Sequence, residues 1–384
     1  MRKPHIYLDH AASTPVHPAV IEAMLPYWTE TYGNPSSSHE HGRFAHRALE
    51  QARERIAAQF NAHPDEIIFT GCGSASDNLA LRGVMMHARH NGGGNHLIIS
   101  DIEHSAVMET AVQLCDYFGF DLTVLPVDKF GQIDVEELKT AVSPSTVLIS
   151  IMAANNEIGS TQPIEAIGSI ARENGALFHS DAVQAIATRR WDMETLPIDL
   201  MSVAPHKFYG PKGIGVLVAR RNVELMPIIT GGGQENGRWA GTSNVAFGVG
   251  TAVALEMAMD ELETRNAHYL PLRDRLIDGL LTALPDDCVL TGHPSQRLPH
   301  NASFAFRNVN GNDLLMHLDM AGISGSSGSA CKTGNPKPSH TLQAIGLGEE
   351  WTKGGLRLTV GRQTTMDDVD YAVEKIPEII RKIN

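Results

Sequence analysis

Lys207 is the first residue of this chain whose setting suggests covalent chemistry. The segment Ser202-Val-Ala-Pro-His-Lys-Phe-Tyr-Gly-Pro-Lys-Gly213 follows an apolar run and leads into glycines. Lys207 therefore stands on a loop after a strand, where functional groups concentrate. A lysine amine forms a Schiff base with a carbonyl carbon, and pyridoxal phosphate is the commonest cofactor held that way. Taken alone, a His-Lys pair is more often a surface charge. Three other segments strengthen the reading. Phe178-His-Ser-Asp-Ala-Val-Gln184 ends an apolar run on Asp181, a carboxylate of the kind a pyridine nitrogen needs to stay protonated; its alternative is a helix N-cap. Glu103-His-Ser-Ala-Val107 places His104 after another strand. Its imidazole could lie flat on a ring or bond to backbone. Thr70-Gly-Cys-Gly-Ser-Ala-Ser76 is a small turn whose free N–H groups suit one phosphate. It is neither GxGxxG nor GxxxxGK[ST], so neither a dinucleotide site nor a P-loop is supported.

The elements that must position these residues alternate along the chain. Apolar runs at Glu66–Thr70, His96–Ser100, Leu122–Val127, Val147–Met152, Leu177–Ser180, Leu200–Val203 and Ile214–Val218 read as strands. Most are continuously apolar, as expected when both faces are covered. Between several of them lie helical patterns, the clearest carrying Phe44, Ala48, Ala52, Ile56 and Phe60 at spacing four. The arginines from Arg43 to Arg55 read as a solvated face of that helix. This alternation predicts an α/β domain with a mostly parallel sheet. Val245 to Leu284 reads as helix broken near Pro271, connecting to a second, smaller domain with a strand at Asn301–Phe306 and a closing helix at Asp367–Ile383.

The 384 residues suffice for two domains. Lys+Arg 31 against Asp+Glu 44 leaves a net charge of −13, a poor balance for a nucleic-acid or anionic-membrane binder. An apolar fraction of 42% with 20% charged residues excludes general disorder. No apolar run approaches the ~18 residues of a membrane span, and the opening MRKPHIYLDHAAST does not read as a signal peptide. A cytoplasmic protein with reduced thiols is expected. Cys72, Cys115, Cys288 and Cys331 show no CxxC spacing, and His39-Glu-His41 is not HExxH, so no metal site is expected. Cys72 is expected to be buried in its turn, and Cys115 and Cys288 to be packing residues. Cys331 differs. It lies in the small, polar stretch Gly325-Ser-Ser-Gly-Ser-Ala-Cys-Lys-Thr-Gly-Asn-Pro-Lys-Pro338, which suits an exposed nucleophile on a loop.

Taken together and in order, these motifs resemble the cysteine desulfurases of the NifS/IscS type, in the class V aminotransferase group of pyridoxal-phosphate fold type I. The resemblance includes Tyr7-Leu-Asp-His-Ala-Ala-Ser-Thr-Pro15, Gly33-Asn-Pro-Ser-Ser37, Ala154-Asn-Asn-Glu-Ile-Gly159, Gly231-Gly-Gly-Gln-Glu235, Gly328-Ser-Ala-Cys331 and Arg357-Leu-Thr-Val-Gly-Arg362, besides the segments above. It implies a large domain over 15–260 built on a seven-stranded sheet, and a small α/β domain formed by 1–14 and 261–384. It implies that Lys207 holds pyridoxal 5'-phosphate and later moves protons. Asp181 would pair with the ring nitrogen, Gln184 would bond the ring hydroxyl, and His104 would stack on the ring. Gly73, Ser74 and His206 would bind the phosphate, and Thr242 would reach the phosphate of a partner subunit in a homodimer. Asn155 and Arg357 would hold the carboxylate of L-cysteine, an arginine fork matching two oxygens. Cys331 would take the substrate sulfur as a persulfide, leaving L-alanine, and pass it to an acceptor protein such as an iron–sulfur scaffold or a thiolation enzyme.

The chain departs from the family pattern at several points. Ser74-Ala75 replaces a Thr-Glu pair, Ala204 replaces a phosphate-binding serine, and Trp239 replaces an arginine. These predict weaker cofactor retention. The resemblance also leads one to expect no counterpart of the C-terminal extension that docks a scaffold in IscS-type members, which counts against a standard iron–sulfur scaffold as partner. Rival readings are a selenocysteine or C–S lyase, an aminotransferase working without cysteine, and a non-catalytic partner subunit.

Overall fold

The computed structural model describes residues 5–327 and 338–383. The Cys331 expectations therefore fall outside the described residues.

After a short strand β1 (Ile6–Tyr7), seven strands form one sheet: β2 (Ile67–Thr70), β3 (His96–Ser100), β4 (Asp121–Leu125), β5 (Thr146–Ser150), β6 (Leu177–Asp181), β7 (Leu200–Val203) and β8 (Gly215–Ala219). Their spatial order is β2-β8-β7-β6-β5-β3-β4. The pairs from β7 through β4 are parallel, while β8 runs antiparallel to both neighbours. The apolar runs alternate between two cores despite being continuous. Ile67, Phe69, Ile98, Phe178, Met201 and Val216 face one core, whereas Ile68, Leu97, Ile99, Leu200 and Leu217 face the other. Helices Glu40–Gln59, Ile164–Glu173 and Val245–Asp260 cover the first face, and Gly73–His90 and Ser105–Phe118 the second. Each fully buried Leu, Ile or Phe contributes about 1.5–3 kcal/mol.

A third core joins Ile6 and Leu8 to residues between Tyr269 and Ile380. It is built on an antiparallel sheet of β9 (Cys288–Leu290), β10 (Asn301–Phe306) and β12 (Gly355–Thr359), with β11 (Ile323–Ser324) pairing parallel to β1. The N-terminal segment thus crosses from this sheet to the central one.

Three expectations are corrected. The helical stretch after Val245 breaks at Glu261, not near Pro271, which lies inside the helix Leu262–Ala283. Buried Leu272, Leu276 and Leu280 hold that helix by packing, which outweighs the one hydrogen bond a proline forfeits. Phe44 is 46% exposed, because a strict spacing of four drifts by about 40° per step around a helix; Ala45 and Leu49 occupy its place in the core. The arginine face is not wholly solvated either. Arg53 is buried, donating to Glu235 through both Nη atoms at 2.7 and 2.9 Å and to the Ile67 carbonyl at 2.5 Å. Arg55 pairs with Glu256.

Candidate active site

Ligands of open α/β sheets sit beyond the carboxyl ends of parallel strands. Here that edge opens as a cleft with about 800 Å³ of empty space. His104 follows β3, Asn156 follows β5, Asp181 ends β6, and His206 and Lys207 follow β7. Gly73 and Ser74 enter at the start of their helix, Ala11 and Ala12 from the N-terminal segment, and Arg357 from β12. Residues far apart in sequence meet because the mutually parallel strands deliver their last residues to the same edge.

Lys207 Nζ donates to the carbonyls of Ala11 at 2.6 Å and Ala12 at 3.0 Å. Burial, reinforced by the Arg357 charge, pulls its pKa down to about 8 against the opposing pull of Asp181 and Asp9. A lysine so tuned spends an appreciable fraction of its time as the nucleophilic free amine. Gln184 also lines the cleft, its Nε2 donating to the Ala11 carbonyl at 3.0 Å.

Asp181 accepts from the Val183 N–H at 2.9 Å. Burial raises its pKa, while His104 and Lys207 lower it. The His104 Nδ1 accepts from the Ala106 N–H at 3.1 Å, capping its helix and pinning the ring. Side-chain polar atoms of Asp77, His104 and Asp181 lie within 4.8 Å of one another. The last two are the residues a pyridine ring would occupy.

The helix Gly73–His90, which also opens on the cleft, begins without a side-chain cap from Cys72. The Ala75 and Ser76 N–H groups donate to the Cys72 carbonyl, each at 3.1 Å, so those of Gly73 and Ser74 are left for an anion, with the helix dipole behind them. A Cβ at Gly73 would meet Val183 Cγ2 at 3.1 Å and Ala204 Cβ at 3.2 Å, so glycine keeps this cradle open. His206 is held neutral: burial, Lys207 and Lys212 push its pKa down to about 4. It can share a proton with a phosphate without adding charge. An amine, a carboxylate and an uncapped helix N-terminus in one cleft match the aldehyde, ring nitrogen and phosphate of pyridoxal phosphate. Ala204 lines the cleft with a methyl group where a hydroxyl would bond the phosphate. Ala204→Ser is expected to tighten cofactor binding about tenfold, roughly the 1.5 kcal/mol of one charge-assisted hydrogen bond. Equilibrium titration of the apoprotein measures it, and an unchanged constant would refute the deficit.

The substrate end requires a correction. Asn155 does not line the cleft: its Oδ1 accepts from the Glu157 and Ile158 N–H groups at 2.8 and 2.9 Å, and its Nδ2 donates to the Ile102 carbonyl at 2.9 Å. Asn155 is fully spent holding the turn after β5, and the neighbouring Asn156 lines the cleft instead. Asn155→Ala should therefore cost about 2–4 kcal/mol of stability through its buried unpaired partners, read as a urea midpoint. Asn156→Ala should leave that midpoint in place and raise the KM for L-cysteine. Arg357 anchors one Nη on Asp9 and the other on the Asn156 carbonyl, each at 2.8 Å, and its buried Nε has no partner among the described residues.

Thr242 is not in the cleft; it lines a separate hollow with Trp28, Tyr32 and Asn34. Trp239 packs against the second core. Cys72, expected to be buried, is exposed at the cleft, because its extended backbone turns it outward just before the helix. Cys288 is buried and Cys115 partly so. Sequence reasoning missed Asn156, Asp77 and Asp9. Asp77 was findable, since four residues separate it from Gly73 on one helix face. The choice between Asn155 and Asn156 depends on the turn alone.

Known proteins resemble this chain over nearly its whole length. The aminotransferase class-V family profile matches residues 6–372. A cysteine desulfurase IscS of Methanosarcina thermophila is 47% identical over 378 residues, covering 98% of this chain and 92% of the relative. A solved NifS-like protein superposes with a TM-score of 0.91 at 36% identity, over 98% of this chain and 100% of the other. A structure of SspA in complex with cysteine superposes at 0.78 and 36% identity, over 92% and 98% of the two chains.

Proposed function

The chain belongs to the class-V aminotransferase family and is a pyridoxal-phosphate-dependent cysteine desulfurase, and from that premise we propose how its own residues divide the work. When bound, pyridoxal phosphate supplies an electrophilic aldehyde carbon and an electron-accepting ring, which makes the substrate Cα–H acidic and its sulfur open to thiolate attack. Lys207 binds that carbon between turnovers and moves the Cα proton during them. Asp181 holds the proton at the ring nitrogen, His104 covers the ring, and Gln184 meets its hydroxyl. Gly73, Ser74 and His206 hold the phosphate. Arg357 and Asn156 hold the substrate carboxylate. The Cys331 thiolate attacks the substrate sulfur: an S–S bond forms, the Cβ–S bond breaks, and Cβ is protonated, so L-cysteine and one thiol become L-alanine and one persulfide. The observation that carries this reading is the convergence of Lys207, Asp181, His104 and the uncapped helix start on one cleft.

We extend the reading to a homodimer in which Thr242 reaches the partner's phosphate. Exposed Trp28 and Tyr32 line the hollow that holds Thr242, an apolar surface suited to a second copy. The N-terminal strand, with residues 1–14 and 261–384, forms the smaller domain. The acceptor is a protein thiol, on an iron–sulfur scaffold or a thiolation enzyme in the cytoplasm. No helix among the described residues is long and apolar enough to cross a membrane. The test is peptide mass spectrometry after one turnover with L-cysteine. One sulfur atom added to the Cys331 peptide is expected. Free sulfide with no added mass would favour the lyase reading.

A further inference from the structure

Asp77 is a second carboxylate in the cleft, and nothing in the division of labour above uses it. It lies in the second turn of the helix that starts at Gly73 and is 1% exposed. Its Oδ1 accepts no hydrogen bond among the described residues. The nearby His179 Nε2 is 3.7 Å away and brings no charge. His179 is enclosed, its Nδ1 2.8 Å from Ser150 Oγ and its Nε2 3.0 Å from Ser202 Oγ, and burial pushes its pKa down to about 3. The other groups facing Asp77 are the Ser202 hydroxyl, which favours its charged form, and Asp181, Glu103 and Cys72, none of them cationic, with His104 at the edge of the cluster.

Asp181 is placed differently. It has the Val183 N–H, and the charges of His104 and Lys207 act on it. Two buried carboxyl groups at this range do not both ionise. The proton settles on the less compensated of the two: burial together with Asp181 raises the Asp77 pKa well above the usual carboxylate range, although the Ser202 hydroxyl opposes them. A charged Asp77 would compete with Asp181 for the same positive ring.

We propose that Asp77 is a positioning residue for the desulfurase reaction: a neutral carboxylic acid beside Asp181 that confines the pair's single negative charge to Asp181. The proposal rests on the reading of Asp181 as the partner of the ring nitrogen.

The test combines cofactor titrations with isotope-edited infrared spectroscopy. In the wild-type protein labelled with 13C-aspartate, a protonated carboxyl C=O stretch is expected at neutral pH, and Asp77→Asn should remove it. If only ionised carboxylate bands appear, the proposal is wrong, whatever the fate of the Asp181 reading. In the holoenzyme, Asp77→Ala should weaken cofactor affinity by about tenfold or more, and Asp77→Asn, which keeps the shape and neutral charge, should restore it. The pH profile of the bound cofactor's absorbance should be the same in Asp77→Asn as in the wild type. A displaced profile in Asp77→Asn would mean that Asp77 is an anion and would overturn the proposal. Asp181→Asn serves as the separate check: if it leaves cofactor affinity and absorbance as they are, the Asp181 reading fails while the infrared result on Asp77 stands by itself.

Discussion

Lys207→Ala is expected to lower alanine formation from L-cysteine by about a thousandfold or more while leaving the fold intact. Loss of a covalent nucleophile that also transfers the Cα proton removes two effects, and general acid–base work alone is worth about 10²–10⁴. The protein should still bind the cofactor through its phosphate, because Gly73, Ser74 and His206 line the cleft independently of the Lys207 amine, which rests on the Ala11 and Ala12 carbonyls. The wild-type protein adds a pH dependence. Lys207 titrates at about 8, below an ordinary lysine, so its neutral, nucleophilic form grows as pH rises. Cofactor uptake by the apoprotein should accelerate by about tenfold between about pH 7 and 9 and then level off, following the fraction of free amine. A flat profile, or a rate still climbing past pH 10, would contradict the burial that sets this value. Stopped-flow absorbance reads both.

Cys331→Ala is expected to abolish alanine formation in the presence of a reductant, again by about a thousandfold or more, since it removes the thiolate proposed to attack the substrate sulfur. Cofactor binding should be unaffected in this variant, which separates it from Lys207→Ala. Alanine production that persists would move the assignment to a lyase. Cys72 is the control: it is an exposed thiol at the same cleft. Residual turnover that disappears in a Cys72→Ser, Cys331→Ala double variant would identify it as a substitute nucleophile.

Much of this site is legible in the amino-acid order because the chemistry needs rare combinations. A lysine after a strand, an aspartate ending another, and a glycine turn leading into a helix are local facts, written within a few residues each. The strands of the seven-stranded sheet are legible too, since β3 and β7 have the bounds their apolar runs predict and the other five shift by one or two residues; β10 also keeps its predicted bounds, whereas β9, β11 and β12 are not predicted. That the chain belongs to one enzyme family follows from the order of its motifs over nearly its full length. Other features depend on where the chain comes together. Asn155 and Asn156 are identical in type, and only the turn after β5 spends one on backbone groups and turns the other to the cleft. Arg53 looks like its solvated neighbours until Glu235, far along the chain, arrives to bond it. The Lys207 pKa is likewise a tertiary property, set by desolvation and by Arg357, Asp181 and Asp9 from three different segments. Residue type and local spacing therefore determine which chemistry is available. Burial and long-range electrostatics, which depend on the assembled sheet edge, decide which residue performs it and in which protonation state.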